Sequence, residues 1–181
     1  AVTNDSFKLA KDADGFYLIN NKIDLLYFSA AVNNGATKLN ARMTNDIDLE
    51  YELDDFNNWV PIGSYSTHST HHGMDEVFTD TTSYEGIFDG AGHTISNLYI
   101  SSNQCNYKNA VLFLSIKNAT VKNLVLKNSY LGSEKETALI GHAENSTIVN
   151  CGTEANFIAI TNSDIAAICG SAWNCKIENC Y

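Results

Sequence analysis

Proline is almost missing: Pro61 is the only one in 181 residues. That excludes polyproline rods and proline-rich linkers. Basic residues are scarce, 11 Lys and Arg against 21 Asp and Glu, which leaves a net charge of −10. An acidic surface of this kind repels phosphate backbones and anionic lipid, so no nucleic-acid partner is expected. No apolar run approaches the roughly 18 residues of a membrane span, and membrane insertion is not expected either. The five cysteines, Cys105, Cys151, Cys169, Cys175 and Cys180, form no CxxC pair and no Cys/His zinc spacing. Their odd number argues against a complete disulfide framework, and most are expected as small core residues, with Cys151 and Cys180 as free thiols. No Gly-rich phosphate loop and no Ser-His-Asp order occurs, so no cofactor and no catalytic residue is expected. The opening "AVTNDSF" carries no signal peptide and fits a cleaved product as well as a start that has lost its Met.

What is abundant is Asn, often beside Gly, Ser or Thr, as in chains with many tight turns. Four stretches are alike: "GHTISNL" (92–98), "NATVKNL" (118–124), "NSTIVNC" (145–151) and "NCKIENC" (174–180). Their fourth residues are Ile95, Val121, Ile148 and Ile177; their sixth are Asn97, Asn123, Asn150 and Asn179. A second element precedes each, with Phe88, Phe113, Ile140 and Ile168 at its apolar centre. A period of this length, with short β-rich runs between Asn/Gly turns, predicts an all-β solenoid, a right-handed parallel β-helix. Equivalent residues would then stack in columns, the aliphatics inside and the Asn amides as a ladder. Cys151 and Cys180 extend a Leu position, so both are expected to point inward.

The first 50 residues read as an N-terminal cap. A helix is predicted over 21–34, with Asn20 or Asn21 as its cap and Asp24 in its first turn. Ile23, Leu26, Tyr27 and Ala30 form one apolar stripe, and Leu25, Phe28 and Val32 a second. Such a helix would cover the first coil, and "FYLIN" and "KLNARMTNDIDLE" would supply the first strands. Residues 51–181 are then the coils, interrupted by a loop at about 64–85. The chain stops one residue past the fourth motif. It therefore reads as the N-terminal part of a longer β-helix, with end-to-end self-association through the C-terminal coil as the consequence.

The run "FYLIN…IDLLYFSAAVNNG…ARMTNDIDL", "WVPIG", "GIFDGAGHTISNLYI" and then "ALIGHA"-like strands resembles the GLUG-type β-helix modules of bacterial surface proteins. The resemblance implies a secreted or cell-surface address and an adhesin-like or structural role toward a host or cell-wall glycan or a surface protein. It implies no catalytic motif.

Three features could hold chemistry. The insertion "SYSTHSTHHGMDEVFTDTTSYEG" (64–86) gathers Tyr65, His68, His71, His72, Asp75, Glu76 and Tyr84. These are the expected ligand contacts, since function concentrates on long loops of rigid scaffolds. Their His and carboxylates lack a known metal spacing, and no metal is expected. Asp89 and His93 flank a turn and could form an acid/base pair, though turn formation explains them better. The third feature is the set of aromatics: Tyr51, Trp59, Tyr65, Tyr84, Tyr99, Tyr107 and Tyr130 are candidates for a contact surface. The outward positions Ser96, Lys122, Val149 and Glu178 make no carboxylate cluster. The expected function is thus a non-catalytic surface module. The alternative is a polysaccharide lyase or hydrolase built on the same fold.

Overall fold

In the computed structural model, the described residues are 9–50, 57–69, 76–101, 109–133, 136–159 and 164–181. Along the chain come β1 (Tyr17–Ile19), α1 (Lys22–Asn33), β2 (Ala41–Met43), β3 (Ile47–Asp48), β4 (Ser64–Ser69) and β5 (Glu76–Thr82). Then follow β6 (Ile87–Asp89), β7 (Thr94–Ser96), β8 (Tyr99–Ser101), β9 (Asn109–Lys117), β10 (Thr120–Lys122) and β11 (Val125–Ser133). The last are β12 (Glu136–Glu144), β13 (Thr147–Val149), β14 (Gly152–Ala159), β15 (Asp164–Ile165), β16 (Cys169–Trp173) and β17 (Lys176–Glu178).

The strands assemble into three parallel sheets. The first runs β1-β2-β6-β10-β13-β17, the second β14-β11-β7-β3 with β8 also on β11, and the third β15-β12-β16 with β9 also on β12. β4 and β5 form a separate antiparallel ribbon. The strands are short because corners interrupt them. Among the described residues, ten other than glycine have positive φ, and eight are Asn: Asn97, Asn118, Asn123, Asn128, Asn145, Asn150, Asn174 and Asn179. Asn tolerates left-handed backbone better than other side chains, which explains its abundance. Corners recur every five residues, at 118, 123 and 128, at 145 and 150, and at 174 and 179. The steps 118–123, 145–150 and 174–179 each hold one three-residue strand, β10, β13 and β17, with Val121, Ile148 and Ile177 at its centre.

Such central side chains build the core. Tyr17, Ala41, Phe88, Val121, Ile148 and Ile177 lie in register across the first sheet. Ile47, Ile95 and Leu126 do so in the second, and Phe113 and Ile140 in the third. All but Ile177 are buried. Rings join the elements: Phe28 of α1 lies 5.7 Å from Tyr84 and 5.6 Å from Phe88. Phe113 lies 5.4 Å from Phe88 and 5.7 Å from Tyr84.

The expected all-β solenoid, a right-handed parallel β-helix with a capping helix, is corrected by this arrangement. The described chain is a mostly β protein of three parallel sheets and an antiparallel ribbon, with one helix among the described residues. The helix is an integral core element rather than a lid, because Leu25, Phe28, Ala31 and Val32 are buried among the sheet residues. Its bounds fall within one residue of those expected, and Asn21 caps it by accepting the Asp24 N–H at 3.0 Å. The Asp24 carboxylate returns the contact by accepting the Asn20 N–H at 2.9 Å. Of the two apolar stripes, Leu25, Phe28 and Val32 are buried, and of the other only Leu26 packs against the core. Ile23 and Tyr27 are 57% and 54% exposed.

The columns need a second correction. Val121, Ile148 and Ile177 stack as expected, but Ile95 belongs to the second sheet and Phe88 takes its place. Asn97 likewise bonds to Asp48 rather than joining Asn123. In the third sheet Ile140 pairs with Phe113 and with Cys169, not Ile168. The cause is that an aliphatic residue two before an Asn marks a corner in either sheet, so one motif was matched to its neighbour's strand. In register, "GHTISNL" lies against "NLVLKNS" (123–129).

Candidate functional site

The β4–β5 ribbon leaves the body between two anchor points on one strand. Ile62 and Tyr84 each bridge to β9, at Phe113 and Ile116. The base between them is tightly built. Asn33, the last residue of α1, donates Nδ2 to the Pro61 carbonyl at 3.0 Å, and its Oδ1 accepts the Gly63 N–H at 2.7 Å. Gly63 has φ 89°, and a Cβ there would lie 2.7 Å from the Ser115 carbonyl oxygen. Only glycine meets both demands. On the returning side, the Ser83 and Ser115 hydroxyls bond at 2.7 Å, and the Tyr84 N–H donates to the Ser115 carbonyl at 3.0 Å. Trp59 fills the core below, its Nε1 donating to the Leu112 carbonyl at 3.1 Å.

The expected ligand residues divide into three groups. Tyr65 pairs with Asp80, His68 with Val77 and Ser69 with Glu76 in the ribbon ladder. His71, His72 and Asp75 lie outside the described residues. Tyr84 is corrected to a core residue: it is buried, and its hydroxyl donates to the Leu39 carbonyl at 2.8 Å. Burial pushes that phenol well above its ordinary pKa. It is therefore no ligand contact.

Asp89 and His93 do not meet as a pair. The His93 ring faces Asp46, Nδ1 to Oδ1 at 3.2 Å. Asp89 is nearly buried at the centre of a cationic pair, with Arg42 Nε at 3.6 Å and Lys122 Nζ at 3.5 Å. Burial alone would raise its carboxyl. The Asn123 amide, the Ala91 N–H and Lys122 outweigh burial and hold it below the usual carboxylate range. Such a group is ionised at neutral pH and is no proton donor there. Among the described residues, no three His, Cys, Asp or Glu side chains group as a metal site.

The other candidate aromatics are partly consumed by structure. Trp59 is buried, and Tyr51 and Tyr107 lie outside the described residues. Tyr99 and Tyr130 are half-buried and stack at 4.9 Å with 20° between their planes. They are register partners in β8 and β11. The sequence reading had named both but not paired them. Correct alignment of 92–98 with 123–129 would have done so, since 99 and 130 keep the same offset. The Asn33 clamp and the Asp89 network carried no recognisable sequence signal, because both join residues from distant segments.

No protein-family model matches the chain, and no solved structure matches it. Over 135 residues, 73% of this chain, it is 31% identical to Halomucin of Haloquadratum walsbyi. The matched stretch is 1% of Halomucin, so the chain spans only a small part of the curated relative it resembles. Among the described residues, no helix is long and apolar enough to cross a membrane.

Proposed function

We propose that this chain is a non-catalytic module of a larger secreted or cell-surface protein, adhesin-like or structural, and that the β4–β5 ribbon is its contact element toward a glycan or a surface protein. The observation that carries the reading is the ribbon's base. Asn33, Gly63, Ser83 and Ser115 fix both ends of the insertion that carries the His-rich part of the sequence. A rigid body holding a polar insertion is how binding loops are displayed. Several corner side chains, by contrast, are spent on one another, as where Asn150 donates to Asn123 and Asn123 to Asp89. The likeness to a short stretch of the far longer Halomucin supports the idea of one module among many. The resemblance of its motifs to those of GLUG-type modules supports a surface address.

The test is a glycan array and a pull-down with the full chain. Alongside goes a variant in which a Gly-Ser-Gly link replaces residues 65–81. Binding by the full chain and its loss in the folded variant is the expected result. Binding that survives the replacement would move the site elsewhere. Release of reducing ends from a polysaccharide panel would instead favour the lyase or hydrolase reading.

A further inference from the structure

Charge is distributed unevenly along the chain. Arg42 and Lys108 bracket 65 residues without a single Lys or Arg, and those residues hold 11 of the chain's 21 Asp and Glu. The body answers several of these carboxylates from outside the segment. Lys22 reaches Glu50 at 3.5 Å, Lys38 reaches Glu85 at 3.6 Å, and Arg42 and Lys122 share Asp89. None of those three acids belongs to the ribbon strands. Glu76 and Asp80 do: both lie in β5, while β4 has no carboxylate and neither strand has a Lys or Arg.

The same strand has an open edge. β5 pairs with β4 and, among the described residues, with no other strand. Residues 76–80 match 69–65 pair by pair, and the ladder's irregularity falls at its base, between Ser64 and Tyr65. Edge strands are usually blunted by Lys, Pro or a bulge. "EVFTDTT" has no Lys and no Pro, and 76–80 run without a bulge. What guards this edge is charge. Two-fold antiparallel pairing of two copies about Phe78 would set Glu76 against Asp80, and parallel pairing in register would set each against itself. The edge thus rejects its own kind and stays open to a strand of opposite charge. Two strands alone are marginal in water, so a third has something to add. The clamp of Asn33 and Gly63 at the base limits the ordering cost of adding it.

On the reading that the ribbon is the contact element, we infer that β5 is a docking edge for one occupant: an extended segment of another polypeptide, added as a third strand, with Lys or Arg at two positions four residues apart. Positions 76 and 80 are themselves four apart in a strand, so they share one face at a separation of about 13 Å. An added strand keeps that spacing whichever way it runs, and its two cations meet the two carboxylates. The backbone ladder holds the segment, and the charge pair selects it. A glycan has no such ladder to offer and, if acidic, meets repulsion.

The test pans a phage-displayed library of random ten-residue peptides on the full chain, counter-selected against the folded Gly-Ser-Gly variant that lacks 65–81. Enriched peptides should carry Lys or Arg at two positions four apart. Synthetic copies should bind about tenfold more tightly than copies with Glu at those positions. Copies N-methylated at odd or at even residues keep the charges but lose the N–H groups of one edge. At least one of the two should bind about tenfold more weakly. In the full chain, Glu76→Lys with Asp80→Lys should turn the preference toward the Glu copies. No enrichment, enrichment without paired cations, or N-methylated copies that both bind like the parent peptide overturns the inference. If the ribbon is still required for glycan binding in that case, only the choice of partner falls. If the Gly-Ser-Gly variant binds glycan as the full chain does, the contact element itself falls.

Discussion

The same substitution at two heights of one column isolates what stacking contributes. Ile148 and Ile177 are register partners in β13 and β17, with the same side chain on the same face. Ile148 is fully buried between Val121 and Ile177, while Ile177 is 44% exposed. Truncation to Ala removes three carbons, about 2.4 kcal/mol of transfer free energy at about 0.8 kcal/mol each. At position 148 a closed cavity adds to this, for a total of about 3–4 kcal/mol. At position 177 the buried fraction leaves about 1.3 kcal/mol, and an open end forms no cavity. The two variants should therefore differ by about 2 kcal/mol. With a urea slope of about 2 kcal/mol per molar, their midpoints should stand about 1 M apart. Urea unfolding followed by far-UV circular dichroism measures this. Equal losses would refute the claim that the last strand lacks a neighbour, and a larger loss at 177 would refute the column itself.

Three further outcomes follow from the body of the molecule. Asp89 has its carboxyl held below the unfolded value of about 3.9, so its stabilisation is complete above that value and is lost as pH falls through the folded one. Asp89→Asn keeps an acceptor for Asn123 but removes the charge between Arg42 and Lys122. It should cost about 1 kcal/mol at pH 7 and flatten the decline in urea midpoint below about pH 4; an unchanged acid profile would dissociate Asp89 from acid stability. Gly63→Ala should cost about 2–3 kcal/mol, from the positive φ and the collision with the Ser115 carbonyl, and a melting temperature equal to the parent's would refute the strained base. The Cys151 thiol, buried beneath the corner, is pushed up to about 12, so at pH 8 iodoacetamide should label Cys180 well before it; simultaneous labelling would show the corner opening freely.

Much of the strand order was legible because a corner needs left-handed backbone, and Asn is the side chain that supplies it. The helix was legible to its cap, from Asn21, Asp24 and the Leu25–Phe28–Val32 spacing. The match of Ile95 with Val121 failed for the same reason the rest succeeded. The corner signal carries no label for which sheet it serves. The all-β expectation failed at Phe28, since an amphipathic stripe says that a helix packs but not that it reaches the central rings. The candidate site was legible only as composition. The insertion announced itself by its His content, but its base depends on Asn33 meeting Pro61 and Gly63, a contact across some thirty residues that no local pattern encodes. Tyr84 closed the insertion in sequence and turned out to close the core.

Register offsets between neighbouring strands vary while the Asn-to-Asn steps do not. Phe88 to Val121 spans 33 residues, Ile95 to Leu126 31, Val121 to Ile148 27 and Ile148 to Ile177 29. The five-residue steps at 118–123, 145–150 and 174–179 stay constant throughout. Two residues of the variation fall at the corner between the first and second sheets, seven residues from Phe88 to Ile95 against five from Val121 to Leu126, and one at the irregularity between Lys127 and Tyr130, where the offset to the next strand falls from 27 to 26. The molecule separates a metric part, where one inserted residue would swing every following side chain to the wrong face, from a slack part, where several can be added without cost to alignment. For anyone grafting a foreign epitope onto this framework, the exposed corner at Ala91–Gly92, which already carries two extra residues, is the seam to open, and the Asn-to-Asn steps are to be left uncut.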